Sequence, residues 1–232
     1  MDKIIRDFKT NTIPEKDFGI KVQFDSSSIL LNSEKATNFI YELTKPLKEH
    51  EIIEINGIKR FADKFDKFRE YDCKLNFIAT EQAIFQNNLI LIDSFLPNII
   101  ANMLIQYYDA RKPYISDLIK ILNVLNPIGY DLSYLENVYE YKVKHLLTDI
   151  ALGLMPSKVW TGKYDATGGY LIVKKDGDVL AYHIYNKNEF ENYLFFNTQL
   201  ETASTSRFGF GNIYSEMGKQ YMKLNLQIRF IK

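Results

Sequence analysis

The sequence predicts an α+β fold: a mixed or antiparallel sheet opens the chain, a helical section fills its middle and a β-rich part closes it. Strand-like apolar runs cluster before residue 57 and after residue 168, while between residues 59 and 150 apolar residues recur at spacings of three and four. Turn signals such as Asn56-Gly57 and Asp176-Gly177 sit beside the strand-like runs.

Taken in order, Lys3–Asp7 and Phe18–Phe24 read as two strands of a hairpin around Thr10, Asn11 and Pro14. Thr37–Leu43 and Glu51–Ile55 read as two more, the latter ending at the Asn56-Gly57 turn. From Lys59 to Glu70, Phe61, Phe65 and Phe68 mark an amphipathic helix with a charged outer face. Cys73–Ala79 fits a strand. Thr80, followed by Glu81, opens a long helix through Phe85, Leu89, Ile92 and Leu96 to Tyr108, kinked or broken at Pro97. Ser116–Leu125 stops before Pro127, and Ser133 caps a helix running to Ile150. Tyr170–Lys174 pairs with Asp178–Ile184 across Asp176-Gly177 as a hairpin. Asn186–Phe196 is a short helix, and Ile213–Tyr214 with Gln220–Phe230 makes strands around Gly218.

At 232 residues and 46% hydrophobic content, the chain can bury one sizeable core. A soft boundary near Pro156 divides residues 1–156 from a β-rich part at 157–232. The apolar stretches Leu89–Leu96 and Ile99–Leu104 fall well short of the roughly 20 residues of a membrane span, so no spanning helix is expected. Met1–Lys9 is charged and has no apolar signal core, which points to the cytoplasm. Cys73 is the single cysteine and reads as a small core hydrophobe. Basic and acidic residues balance at 29 each, so no global positive excess announces nucleic acid; a locally positive groove is compatible with that balance.

On Phe18–Phe24, alternation assigns Phe18, Ile20, Val22 and Phe24 to the core, and Gly19, Lys21 and Gln23 to the other face. The last strand alternates in the same way, with Leu224, Leu226, Ile228 and Phe230 inward and Lys223, Asn225, Gln227 and Arg229 outward. That outer row has the residue types that read base edges, Arg for guanine and Asn or Gln for adenine, and equally suits a solvated sheet face. Ser204–Arg207 forms a polar loop able to meet phosphate through Ser206 and Arg207, or simply solvent. His183 reads as a hydrogen-bonded structural histidine ahead of a general acid or a DNA contact, and Trp160 with Tyr164 as core packing or a stacking surface for a base. Gly168-Gly169 lacks the lysine and hydroxyl of a phosphate loop.

Several ordered fragments carry a resemblance to a known family. They are Phe18-Gly19-Ile20-Lys21, Leu30-Leu31-Asn32, Ala36-Thr37-Asn38-Phe39-Ile40-Tyr41, Asn126-Pro127, Trp160-Thr161-Gly162, Gly168-Gly169-Tyr170, Tyr182-His183-Ile184-Tyr185-Asn186, Thr205-Ser206-Arg207 and Lys223 to Phe230. Together they resemble the HpaII restriction endonuclease family from about residue 18 to residue 230. The resemblance implies a restriction-endonuclease-like core of the PD-(D/E)xK type. The implied activity is Mg²⁺-dependent cleavage of double-stranded DNA at a short specific site, carried out by a homodimer within a restriction-modification system. It further implies Lys21 as the catalytic lysine and an aspartate on the preceding strand as metal ligand, Asp2 being favoured over Asp7. Residues 157–232, with Ser206, Arg207, Asn225, Gln227 and Arg229, become the candidate DNA-recognition region.

The sequence departs from the family pattern twice. Gly19 offers no ligand where such nucleases carry an acidic residue and this family a serine, and the chain reads as shortened at its N-terminus. A truncated, non-cleaving DNA-binding remnant is therefore the alternative expectation, and a structural or protein-binding α+β domain is a third.

Overall fold

Asn38–Leu43 alternates large apolar residues, and its odd members Phe39, Tyr41 and Leu43 are buried. The computed structural model describes residues 18–22, 28–110, 112–166, 168–173, 177–183 and 187–231. Within them the strands are β1 (Phe18–Val22), β2 (Ile29–Leu31), β3 (Asn38–Leu43), β4 (Leu75–Thr80), β5 (Gly169–Val173), β6 (Val179–His183), β7 (Thr198–Leu200), β8 (Ile213–Glu216), β9 (Lys219–Asn225) and β10 (Ile228–Phe230). The helices are α1 (Glu49–Gly57), α2 (Phe61–Glu70), α3 (Ala83–Ile92), α4 (Leu96–Ala110), α5 (Ile115–Leu125), α6 (Val138–Leu152), α7 (Lys187–Phe196) and the single turn α8 (Thr205–Phe208), with a 3₁₀ turn at Glu34–Thr37.

The fold is α+β, with mostly antiparallel sheets. The strands form sheets ordered β4-β3-β9-β8, β2-β10-β7 and β1-β5-β6, and β1 runs parallel to β5. The N-terminal strands thus pair with C-terminal ones, β3 with β9 and β2 with β10. Helix α4 covers β3: Leu96, Ile99, Ile100, Met103, Leu104 and Tyr108 are buried at helical spacing, and the Tyr41 hydroxyl donates to the Ala101 carbonyl at 2.8 Å. Helix α2 adds Phe65 and Phe68 to this core, and Cys73 is buried beside them.

The β5-β6 hairpin follows the sequence reading, with Gly177 at φ +90° beyond β5. Four expectations change. Glu51–Ile55 is helix rather than strand: the Glu51 carboxylate accepts the Lys48 N–H at 2.7 Å, and only one side of α1 is covered, since Ile55 is buried while Ile53 is 66% exposed. Asn56, expected in a hairpin turn, instead exchanges hydrogen bonds with the Ile213 N–H and carbonyl at 2.7 and 3.0 Å, joining the end of α1 to β8. The long helix from Thr80 is broken, as expected, into two helices bent by 109°, but the break precedes Pro97 rather than falling at it. The Asp93 carboxylate accepts the Phe95 N–H at 2.9 Å in the break, and Pro97 sits in the first turn of α4, where a proline costs no hydrogen bond. Ser133 does not cap α6; it donates to Asp131 in a preceding turn. No single helix among the described residues is long and apolar enough to cross a membrane.

The fourth change concerns the last strand, which is broken into β9 and β10 on different sheets. Residues 224 to 228 are all buried, so the polar row expected on a solvated face turns inward at this crossover. The expected strand Lys3–Asp7, with Asp2 and Asp7, lies outside the described residues.

Candidate active site

At Gly19 and Ile20 the strand β1 is built opposite to the alternation read from the sequence. Ile20, expected in the core, is 62% exposed. Gly19 faces the interior: a Cβ there would stand 2.7 Å from Cδ2 of Tyr170 and 3.5 Å from the Ala151 carbonyl of α6. The register pairs Gly19 with Tyr170 and Lys21 with Ile172, both buried on β5. The glycine is thus a close-packing residue, and the ring of Tyr170 occupies the space of any side chain at this position.

Four of the five candidate DNA-reading residues, Arg207, Asn225, Gln227 and Arg229, gather around two glutamates. At Glu34, the carboxylate meets the Arg207 guanidinium at 2.9 Å and the backbone carbonyl accepts from the Asn225 amide at 2.9 Å. Asn225 is 1% exposed and its amide also reaches Asn38 at 2.8 Å and Thr37 at 3.3 Å, so it latches the 3₁₀ turn to β9. Asn38 passes the network to Glu81 at 2.7 Å, which pairs with Lys223 at 2.9 Å. At Glu201, the carboxylate accepts from the Gln227 amide at 2.6 Å and pairs with the Arg229 guanidinium. Ser206 and Arg207 are exposed, on the short α8 whose Ser204 hydroxyl accepts the Arg207 N–H at 3.4 Å. Ser206, Tyr214 and Lys223 line a cleft of ≈ 390 Å³ beside them.

The loop behind α8 is held by a residue that sequence reading passed over. Lys64 is buried in α2, and its ammonium donates to the Gly211 carbonyl at 2.7 Å and to Asn212 at 3.2 Å. Burial lowers its pKa from 10.5 to about 8. Phe61, one turn earlier, stacks on Phe210 at 5.9 Å, and at Gly211 (φ +88°) a Cβ would come within 2.7 Å of the Phe61 ring. A lysine on the inner side of an amphipathic helix was the only available sign.

A second polar concentration lies between α6, α7 and the segment of Trp160 and Tyr164, in a cleft of ≈ 320 Å³. Asp149 accepts from the Tyr164 hydroxyl at 2.9 Å, and burial is the main cause raising its pKa from 3.8 to about 6. Glu191 faces Lys187 at 3.4 Å and His145 at 3.7 Å. Burial, with Lys187 nearby, lowers the His145 pKa.

The described residues do not compose a Mg²⁺ site at β1. Tyr170 fills the place of a donor at position 19, and no group of three or more His, Cys, Asp or Glu among the described residues stands close enough to hold a metal.

A mixed β1-β5-β6 sheet flanked by α6, and a polar C-terminal network anchored on Glu34 and Glu201, are the frame on which the ordered sequence fragments fall. The profile of the HpaII restriction endonuclease family matches residues 2–230, and the chain belongs to that family. It is similar to the type II restriction enzyme HpaII of Haemophilus parainfluenzae, with 46% identity over 228 residues covering 98% of this chain. The chain spans 63% of the length of that relative. No solved structure matches it.

Proposed function

We propose that the protein is a type II restriction endonuclease that hydrolyses double-stranded DNA at a short specific site, acting in the cytoplasm as a homodimer with Mg²⁺. The observation that carries this reading is the 46% identity to a type II restriction enzyme across 98% of the chain. A symmetric pair of subunits matches the two strands to be cut.

In this reading Asp2 supplies a metal ligand and Lys21 orients the attacking water. Bound Mg²⁺ would contribute Lewis acidity and a lowered water pKa. Residues 157–232 are the recognition part. Ser206 and Arg207 contact phosphate, which suits their exposure on α8. Asn225, Gln227 and Arg229 act through the frame: the Asn225 and Gln227 amide N–H groups and the Arg229 guanidinium bond Glu34, Thr37, Asn38 and Glu201, and they fix the surface that meets DNA.

One observation favours a second reading, a DNA-binding protein that does not cleave: Tyr170 leaves no room for a donor at position 19. Plasmid cleavage with Mg²⁺ or with EDTA, beside a gel-shift assay, separates the two. Discrete Mg²⁺-dependent fragments that vanish in Lys21→Ala support the endonuclease. Retarded but intact DNA supports the second reading, and neither binding nor cleavage removes both.

A further inference from the structure

We propose that the cleft between α6, α7 and the Trp160–Tyr164 segment is a pocket for a nucleobase bearing an exocyclic amine. Its walls and floor have the composition such a ligand needs. The rings of Trp160 and Tyr164 stand 6.3 Å apart at 34°, and the indole is fixed by its N–H donating to the Lys163 carbonyl at 3.1 Å. Aromatic side chains stack bases whatever their sequence. Carboxylates accept from an exocyclic amine, as Asp and Glu do from cytosine. Lys187, half exposed at the rim, offers a donor to a ring acceptor.

Two polar atoms in this cleft have no hydrogen-bond partner. The Thr148 hydroxyl is one: the residue is 2% exposed, lines the cleft, and bonds to nothing, although a helical threonine ordinarily reaches the carbonyl one turn back. Oε1 of Glu191 is the other, held only at ion-pair range from Lys187 and His145. Of several buried side-chain polar atoms without a hydrogen-bond partner among the described residues, these two line one cleft, and buried polar atoms in proteins are ordinarily satisfied, so together they mark a place for a polar ligand. A cation fits poorly, because Lys187 and His145 already face Glu191. The volume of ≈ 320 Å³ lies at the small end of the roughly 300–1,000 Å³ typical of ligand clefts, the right scale for a single planar group.

The position gives the pocket a use. Ala151, two residues beyond Asp149 on α6, has its carbonyl 3.5 Å from where a Cβ on Gly19 of β1 would stand. The cleft and β1 thus border different faces of the same helix, α6, and in using the strand proposed to carry Lys21 as its neighbour the inference rests on the endonuclease reading. A base turned out of the duplex can be held there by stacking on the aromatic pair, as enzymes that take a base from the stack use aromatic side chains.

Trp160 is the single tryptophan of the chain, so intrinsic fluorescence reports this cleft directly. The full chain is titrated with deoxycytidine and deoxyadenosine monophosphates and, as the amine-free comparison, thymidine monophosphate. A second arm uses a duplex with one bulged cytosine and its fully paired counterpart. We expect saturable quenching by the amine-bearing nucleotides or by the bulged duplex, at least tenfold weaker with thymidine monophosphate or the paired duplex. Thr148→Val and Glu191→Gln should each weaken it at least fivefold with an unchanged circular dichroism spectrum; Lys187→Met, at the rim, serves if either fails to fold. Quenching by mononucleotides identifies free bases as ligands, and quenching by the bulged duplex alone identifies an extruded base. No saturable quenching in either arm, or quenching unaltered by the variants, overturns the proposal. Because the readout needs no cleavage, a protein that cuts no DNA still decides it.

Discussion

The ring of Tyr170 stands where a side chain at Gly19 would have to be, with Cδ2 only 2.7 Å from an added Cβ. Tyr170 is 1% exposed and packs on Phe190 at 5.4 Å, so the ring cannot swing into solvent without opening the contact between β5 and α7. Gly19→Ala is expected to destabilise the protein by about 1–3 kcal/mol, the usual cost of overpacking. In a double-mutant cycle with Tyr170→Leu, the pair should lose less than the sum of the single variants by about 0.5–3 kcal/mol. Urea denaturation measures all four proteins; additive losses would show that the ring is not the obstacle.

Lys64 gives a second prediction. Its ammonium is buried beneath the Gly209–Asn212 loop and satisfies the Gly211 carbonyl. Lys64→Met leaves that carbonyl without its donor and should cost about 1–3 kcal/mol at pH 7. The folded pKa of about 8 lies below the unfolded 10.5, so between these values the unfolded chain binds the extra proton. Stability from this group therefore rises with pH across that window, and the gap between wild type and Lys64→Met should widen from pH 8 to pH 10. A gap that narrows would mean that the buried lysine is held charged.

Asp149 works in the reverse sense. Burial raises its pKa from 3.8 to about 6; Glu191 adds to the rise, while Tyr164 and Lys187 oppose it. The folded protein holds the proton more tightly, so stability is lost as pH rises through this window and the full cost is present above it. Asp149→Asn keeps an acceptor for the Tyr164 hydroxyl and removes the charge. It should match wild type near pH 4 and exceed it at pH 8, by urea midpoints across the range. A variant less stable at pH 8 would show that the carboxylate is needed ionised.

Much of the architecture was legible because local pattern and tertiary burial agree. The Phe61, Phe65 and Phe68 spacing of α2, the Gly177 hairpin and the alternation of β3 are each decided within a few residues. What misled was alternation read without knowledge of neighbours. Asn225 and Gln227 look like an outer row, yet the chain changes sheets after Asn225 and residues 224 to 228 are buried on every side. Ile20 looks like core, but β1 leans on Tyr170 through Gly19, and only the register with β5 reveals it. Glu34, Glu81 and Glu201, which anchor the polar network, carry no local signal, because their partners lie 43 to 191 positions away or, for Gln227 and Arg229, across a sheet crossover.

Arg207 and Asn225 both meet Glu34, and they should separate binding from stability. The Arg207–Glu34 pair is exposed on both sides, at 70% and 62% of the side chains, and such pairs contribute little to folding. Arg207→Ala should leave the urea midpoint nearly unchanged. If the guanidinium contacts phosphate, its loss weakens DNA binding uniformly across sequences and makes the dependence of log affinity on log salt shallower by about 1. Asn225→Ala removes a buried amide that bonds the Glu34 carbonyl and Asn38, and should cost about 1–3 kcal/mol in stability. Fluorescence anisotropy with a labelled duplex at several salt concentrations, beside urea titrations of both variants, reads the two effects. An Arg207→Ala protein with wild-type affinity and salt slope would remove α8 from the DNA-contacting surface and leave Asn225 with a structural role alone.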